Sequence, residues 1–263
     1  MKKITVCAGI VLLSIMLPGN ALALPGIDVE AAIGGWMQSP VGDVSYAPTE
    51  LGLEETLDFE DDFNYDDQTR VTGRIKVDIP VVPSVYLMAS PSEFDGDGLK
   101  DVDFSFGDFE FSANEPFYSK VTLNQYDIGL YYSVPLLKTA TLNRLNIDVG
   151  LNARIMDIKG EIEQDSERYG YNKEETSETI PVPMLFLAAQ FTPMERFALE
   201  AEGRGISIGG NTVMSVIARL RVKVFGPAFA AAGYRYDAID IDENDVKLDT
   251  NIAGPFLEAG VKF

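Results

Sequence analysis

Residues 144–155 read RLNIDVGLNARI, and apolar side chains alternate with polar ones or glycine along this stretch. The apolar set occupies the odd positions from Leu145 to Ile155. A period of two indicates a β-strand, because successive side chains point to opposite faces of the sheet. The same alternation recurs in 71–79, 197–204, 218–224 and 257–263. The chain is therefore predicted to be an all-β protein.

Extending this pattern along the chain predicts ten strands, with eight and twelve as the alternatives. They lie near 28–37, 68–79, 83–90, 121–134, 144–158, 179–191, 196–206, 212–224, 228–238 and 251–263. The connections 80–82, 135–143, 192–195 and 225–227 are short, whereas 38–67, 91–120, 159–178 and 239–250 are long and 207–211 is an exception. Short turns on one side and long loops on the other are typical of a closed antiparallel up-and-down transmembrane β-barrel.

The alternating stretches are about 9–13 residues long, whereas strands of soluble proteins usually have about five or six. A tilted strand that crosses a bilayer needs about 9–11 residues. The length favours a barrel whose apolar face points outward into lipid. The alternative is a soluble periplasmic, lipocalin-like barrel that binds a hydrophobic ligand in an apolar interior.

Charge is distributed unevenly along the chain, which has 41 acidic and 21 basic residues and a formal net charge of −20. The four long predicted loops hold 30 of the acids and only six bases. The net acidity is therefore predicted to lie on the extracellular surface rather than in the barrel wall. Such an acidic chain is not expected to bind nucleic acid, because phosphate recognition requires clustered Lys and Arg.

Residue types that serve in many active sites are scarce in this chain. It has no histidine and a single cysteine, Cys7. The absence of histidine removes Ser-His and Cys-His nucleophile pairs, imidazole bases and His-ligated zinc. No spacing of other residues points to a catalytic group, so the sequence predicts a protein without catalysis and without a cofactor.

The N-terminus has the layout of a secretory signal peptide. Lys2 and Lys3 precede an apolar stretch at 4–17, and Ala21-Leu22-Ala23 fits the small-residue cleavage pattern. An apolar stretch of 14 residues is too short to span a membrane comfortably. We therefore expect residues 1–23 to be removed after Ala23, which leaves one β-barrel domain over 24–263.

The C-terminus carries a further pattern. Leu257, Ala259, Val261 and Phe263 place apolar side chains at every second position up to a terminal phenylalanine. Together with the leader and the alternating strands, this ending makes the chain resemble Gram-negative outer-membrane β-barrel proteins. The ending itself resembles the C-terminal signal that the outer-membrane assembly machinery reads in those proteins. The resemblance covers the mature chain and lies in pattern rather than in a motif. It implies contact with lipid and lipopolysaccharide but no activity, since the enzymes among such barrels rely on an active-site histidine.

Charged residues on two neighbouring predicted strands form the first candidate site. They are Glu200, Glu202, Arg204, Arg219, Arg221 and Lys223. Adjacent antiparallel strands bring such side chains within reach of one another on one face. They either line a narrow pore and set its ion preference, or pair across the lumen and plug it. A barrel of about eight to ten strands is barely wide enough for a channel once side chains fill it.

The loops hold three further features. The first long loop carries Asp58, Glu60, Asp61, Asp62, Asp66 and Asp67, interleaved with Phe59, Phe63 and Tyr65. Carboxylates suit Ca²⁺ or Mg²⁺, but no EF-hand spacing is present, so we expect a solvated loop with at most weak divalent-cation binding. Residues 95–98, Asp-Gly-Asp-Gly, predict a turn, and 102–112 predict a Phe-rich hairpin raised above the membrane. The whole pattern predicts an integral outer-membrane barrel with a structural, narrow-pore or binding role.

Overall fold

The computed structural model describes residues 26–46, 57–101, 103–106, 109–243 and 246–263. Within these ranges the strands are β1 Asp28–Tyr46, β2 Leu57–Asp58, β3 Gln68–Asp78, β4 Ser84–Ser90, β5 Glu93–Gly98, β6 Phe104–Phe106, β7 Phe109–Phe111, β8 Phe117–Ser133, β9 Leu145–Ser166, β10 Gly170–Met194, β11 Phe197–Ile208, β12 Asn211–Phe225, β13 Ala228–Glu243 and β14 Val246–Lys262. One short helix, α1, spans Leu137–Ala140. The predicted signal peptide lies outside the described residues. No helix in the described ranges is long and apolar enough to cross a membrane.

The sheet closes on itself, since β1 pairs with β3 on one side and with β14 on the other. The order around the barrel is β1, β3, β4, β8, β9, β10, β11, β12, β13 and β14, and every pairing is antiparallel. Strand β5 continues β4 along β8, and β2 adds to the end of β1. The predicted ten-strand barrel is therefore confirmed. We name the end with Asp28 and the short turns the periplasmic end, following the usual orientation of such barrels.

The apolar face of the strands points outward. Leu151 lies between Leu130 and Leu185 on the neighbouring strands, and its side chain is 65% exposed. Arg154, three residues along the same strand, faces the interior and is fully buried. This is the inverted arrangement of a membrane barrel, so the soluble alternative with an apolar barrel wall facing inward is not supported.

The strands extend further than the sequence pattern predicted. Strands β9 and β10 pair from Leu145 and Phe191 up to Ser166 and Gly170, so most of the predicted loop 159–178 is a tall hairpin. Strand β1 likewise continues to Tyr46, opposite Val246 of β14. Beyond the apolar band both faces of a strand meet water or loops, so apolar alternation is lost there while the backbone ladder continues. This is why the boundaries predicted for these loops were wrong.

Prolines account for two interruptions of the ladder, because a proline has no N–H to donate. Pairing of β10 with β11 stops at Leu185 opposite Gly205, just before Pro183, although β11 continues to Ile208. The β1–β14 register likewise skips the position opposite Pro255.

Strands β11 and β12 join through Gly209 and Gly210, whose φ angles of 66° and 100° suit a tight type I′ hairpin. The rim is therefore lower at β11–β12 than at β9–β10.

The predicted turn at 95–98 is wrong, because these residues belong to strand β5, which pairs with β8. Their glycines serve close packing instead. A Cβ on Gly98 would lie 2.3 Å from the backbone oxygen of Asp62, and one on Gly96 would lie 2.6 Å from that of Phe63. The first loop can therefore rest directly on β5.

Candidate functional site

The periplasmic half of the barrel interior is filled by one connected network of ion pairs. Among the described residues it joins seven acids and seven bases: Glu30, Asp78, Asp127, Asp148, Glu200, Glu202, Glu258, Arg74, Lys76, Arg154, Arg204, Arg219, Arg221 and Lys262. Contacts reach across several strands, as in the 2.7 Å pair between Arg221 of β12 and Glu30 of β1. The formal charges of the network cancel.

Five of the six charged residues predicted on β11 and β12 lie in this network. Arg219 Nη2 is 2.9 Å from Glu202 Oε1, and Arg221 Nη2 is 3.0 Å from Glu200 Oε1. Arg204 Nη2 also contacts Glu202, at 2.9 Å. The sixth, Lys223, is exposed at the periplasmic end of β12 and lies outside the network.

Asp127 on β8 is the most enclosed carboxylate of the network. Its Oδ1 accepts hydrogen bonds from Arg154 Nε at 2.9 Å and from Asn152 Nδ2 at 2.6 Å. Its Oδ2 accepts from Arg154 Nη2 at 3.0 Å and from Arg204 Nη1 at 2.9 Å. The side chains of Asp127 and Arg154 are fully buried, and that of Arg204 is nearly so. One carboxylate thus faces two guanidinium groups without bulk water.

A second polar cluster spans the lumen above this layer. Arg235 of β13 donates to Gln125 Oε1 of β8 at 3.0 Å and to Ser90 Oγ of β4 at 2.5 Å. It also pairs with Asp237 at 2.6 Å, and its guanidinium lies 4.3 Å from the centre of the Trp36 ring. Strands β13 and β8 are five positions apart in the ring of ten. This side chain therefore joins opposite walls.

The extracellular half of the interior is apolar. Phe59, Phe63 and Tyr65 of the first loop (57–67) turn inward, and Phe63 stacks on Tyr65 with ring centres 5.1 Å apart. They pack on Phe94, Phe117 and aliphatic side chains from the walls. A cavity beneath this loop has a volume of only about 20 Å³, about enough for a single water. The aromatic residues between the acids thus form a cap over the polar layers.

The six acids of the first loop do not converge. Asp58 Oδ1 accepts from the backbone N–H groups of Glu60 and Asp61, each at 2.8 Å, which shapes the turn. Asp62 accepts from the N–H of Asp58 and pairs with Lys100 Nζ at 3.3 Å. Asp66 and Asp67 are not part of this turn. Across the described ranges, no group of three or more Asp, Glu, Cys or His residues is placed to hold a metal ion. The weak divalent-cation site therefore stays a prediction.

The second loop (99–116) is fastened to the tall β9–β10 hairpin. Its strands β6 and β7 form the predicted hairpin, with Phe104 opposite Phe111, and Phe111 is buried in the apolar core. Gln164 of β9 accepts from the N–H of Ser112 at 2.6 Å and donates to the carbonyls of Ser112 and Glu115 at 3.1 and 3.0 Å. The amide of Gln164 thus makes three hydrogen bonds that hold this loop against the hairpin.

Replacing Gln164 with alanine is expected to loosen the second loop without unfolding the barrel. The variant leaves the N–H of Ser112 without its acceptor, which costs about 1–3 kcal/mol of local stability. Hydrogen exchange in the second loop should rise, and proteases should cut it faster. Gln190→Ala, which removes a 3.3 Å contact to Glu200 near the other end, is the matched control. Equal protection of the second loop from exchange and proteolysis in both variants would contradict this role of Gln164.

Sequence reasoning missed nine members of the ion-pair network. Seven of them lie on the polar face of alternating stretches, so their even positions could have identified them: Arg74, Lys76, Asp78, Asp148, Arg154, Glu258 and Lys262. Glu30 and Asp127 lie where glycine, alanine or tyrosine blurs the alternation. The predicted strand order places the strands of Arg235 and Gln125 on opposite walls, but no local pattern indicates which inward side chains meet across the lumen.

Comparisons with known proteins identify the fold. No family model matches the chain, and no curated protein matches its sequence. The structure of the outer membrane protease OmpT from Escherichia coli is similar at a TM-score of 0.52 and 11% identity, over 92% of this chain and 97% of OmpT. The NalP translocator domain from Neisseria meningitidis has a TM-score of 0.45 and 14% identity, over 97% and 94%. The similarity to OmpT supports the assignment of the fold but does not extend to its protease activity. The fold is that of Gram-negative outer-membrane β-barrels.

Proposed function

We propose that this protein is an integral outer-membrane β-barrel whose lumen is closed to solutes and whose role is structural or binding rather than catalytic. The observation that carries the proposal is the Arg235–Gln125 hydrogen bond of 3.0 Å, which joins opposite walls between the ion-pair network and the apolar cap. A solute would have to displace all three layers. The absence of histidine from the sequence supports a function without catalysis.

The energetics of the network favour a plug over a filter. A selectivity filter presents unsatisfied charge or carbonyl groups to the passing ion. Here the charges of the network cancel, and most of its side chains are largely buried. Breaking one partner out of a buried ion pair costs several kcal/mol, so an ion gains little that would offset this loss. This supports the plugged alternative over the narrow pore.

The extracellular wall offers an acidic surface on which a binding role would depend. Asp240, Asp249, Asp43 and Asp58 lie directly opposite one another on four neighbouring strands. Burial and the carboxylates of Asp249 and Asp58 raise the pKa of Asp43. Like charges placed directly opposite destabilise a sheet, so this row of four carboxylates lowers the stability of the barrel wall. It suits a cationic partner.

The remaining parts of the proposal concern export and assembly. Cleavage after Ala23 would leave residues 24–263 as the mature domain. Leu257 on β14 and Phe263 directly after it are exposed, at 69% and 52%, which fits contact with lipid and supports the C-terminal assembly signal.

Planar-bilayer recording tests the closed lumen. The protein should give no steady conductance above that of the empty bilayer, while its heat-modifiable gel mobility shows that it is folded. A general porin under the same conditions is the control for the sensitivity of the recording. Steady openings whose ion preference changes in Arg219→Glu or Arg221→Glu would overturn the proposal and restore the narrow pore.

A further inference from the structure

Cations without an ion pair are confined to one part of the molecule. Among the described residues, Lys138, Arg144, Arg196 and Lys223 have no ion pair, and all four are exposed near the periplasmic end. The other described Lys and Arg side chains contact a partner, chiefly a carboxylate. Glu195 is the one acid in the same turns, and residues 1–25 contain no acid. This patch is a positive area on a strongly acidic protein.

The backbone brings three of these cations together. The N–H of Thr192, near the periplasmic end of β10, donates to the carbonyl of Arg144 at 2.7 Å. The N–H of Lys223 donates to the carbonyl of Arg196 at 2.9 Å. The turns before β9 and β11 and the end of β12 therefore lie side by side at the periplasmic rim. Lys223 is opposite Phe229, which is buried in the interior, so Arg144 and Arg196 form the row that remains beside the outer face.

A groove lies on the lipid-facing surface directly above this row. Its floor is formed by Ala189, Ala201 and Ala218, which are opposite one another on β10, β11 and β12. Larger apolar side chains, including Leu145, Phe191, Leu199 and Leu220, form its walls. The groove has a volume of about 470 Å³ and an almost entirely apolar lining. Leu145 directly follows Arg144, so the wall of the groove adjoins the first cation.

We propose that this groove and the cations below it bind one anionic phospholipid of the periplasmic leaflet. An acyl chain lies along the alanine floor, and the phosphate lies between Arg144 and Arg196. The inference needs the membrane placement of the barrel, but it needs neither the closed lumen nor the acidic extracellular surface. A lysine or arginine near a membrane surface attracts anionic lipid.

The two halves of the site have different roles. Lipid tails are as apolar as leucine, so burial of a tail in the groove brings no hydrophobic driving force and only improves packing. Selection must therefore come from the headgroup, and the cations favour a net negative charge. A second copy of the barrel seated on the groove would bring its own positive rim against this one, because a symmetric contact places like patches near each other. Charge complementarity thus favours the lipid.

Native mass spectrometry of the full protein, extracted in a mild detergent, tests this site. The probes are palmitoyl-oleoyl phosphatidylglycerol and the corresponding phosphatidylcholine. One phosphatidylglycerol should be retained in preference to phosphatidylcholine. Its apparent affinity should fall roughly fivefold for each cation removed in Arg144→Gln and Arg196→Gln. Arg168→Gln, at the extracellular end, is the matched control and should leave retention unchanged.

The groove is tested separately by filling it. Ala201→Leu with Ala218→Leu should reduce retention of both lipids, whereas Ala153→Leu, on the outward face of β9 outside the groove, should not. Heat-modifiable gel mobility shows whether each variant is folded. If the double alanine-to-leucine variant does not fold, the variants that each remove one cation still test the headgroup half of the site. Equal retention of the two lipids by the wild type, or unchanged retention when the groove is filled, would overturn the proposal. So would a filled groove that lowers the dimer fraction but not lipid retention.

Discussion

Replacing Asp127 with asparagine is expected to destabilise the barrel by about 3–5 kcal/mol, the usual cost of removing one partner from a buried ion pair. Asparagine keeps the shape of the side chain but removes the charge that faces Arg154 and Arg204. Both guanidinium groups are nearly inaccessible to water, so neither can recover its lost partner by hydration. Urea unfolding in lipid vesicles, followed by heat-modifiable gel mobility, measures the change.

The control for Asp127 is a carboxylate on the next strand. Asp157 contacts Lys159 at 3.8 Å, and both side chains are partly exposed, at 28% and 55%. Exposed pairs contribute about 0–1 kcal/mol, so Asp157→Asn should leave the unfolding midpoint almost unchanged. Adding Arg154→Gln to Asp127→Asn should recover part of the loss, because it removes the buried guanidinium that pairs with Asp127, whereas Arg204 keeps its contact with Glu202. Equal effects of the two aspartate variants would show that the network does not hold the barrel together.

Replacing Leu151 with arginine is expected to cost about 2–4 kcal/mol, the penalty for a cation on the lipid face near the bilayer midplane. Leu151 lies outward between Leu130 and Leu185, so an arginine there meets only apolar side chains and lipid. In a soluble barrel the same position would face water, and an arginine at a side chain that is 65% exposed would do little harm. The variant therefore tests whether the outward face of this barrel contacts lipid or water.

The matched variant carries arginine on the same sheet but above the membrane. Tyr171, near the tip of the β9–β10 hairpin, is 62% exposed. Tyr171→Arg should cost about 0–1 kcal/mol, because the penalty declines toward the interface. Folding yield into lipid vesicles and urea unfolding measure both variants. A harmless Leu151→Arg would contradict the membrane placement of this face.

The barrel wall was predictable from residues that repeat a local rule. In stretches such as 144–155, apolar and polar side chains alternate because lipid contacts one face of each strand and the interior contacts the other. Successive residues point to opposite faces, so this difference is visible in the local sequence. Strand ends were less predictable, since beyond the lipid the two faces of β9 and β10 no longer differ. The aspartate-glycine stretch at 95–98 was read as a turn, because its glycines could not reveal that the first loop approaches their backbone.

By itself the sequence determined the strand period, the number of strands and the outward apolar face. These properties follow from neighbouring residues and from composition. Only the tertiary structure decided which charges meet inside, because contacts such as Arg235 to Gln125 join residues 110 positions apart through the closure of the sheet. The inward turn of Phe59, Phe63 and Tyr65 was decided in the same way. Their acidic neighbours suggested a solvated loop, whereas the open end of the barrel provided an apolar interior in which the aromatic rings could be buried.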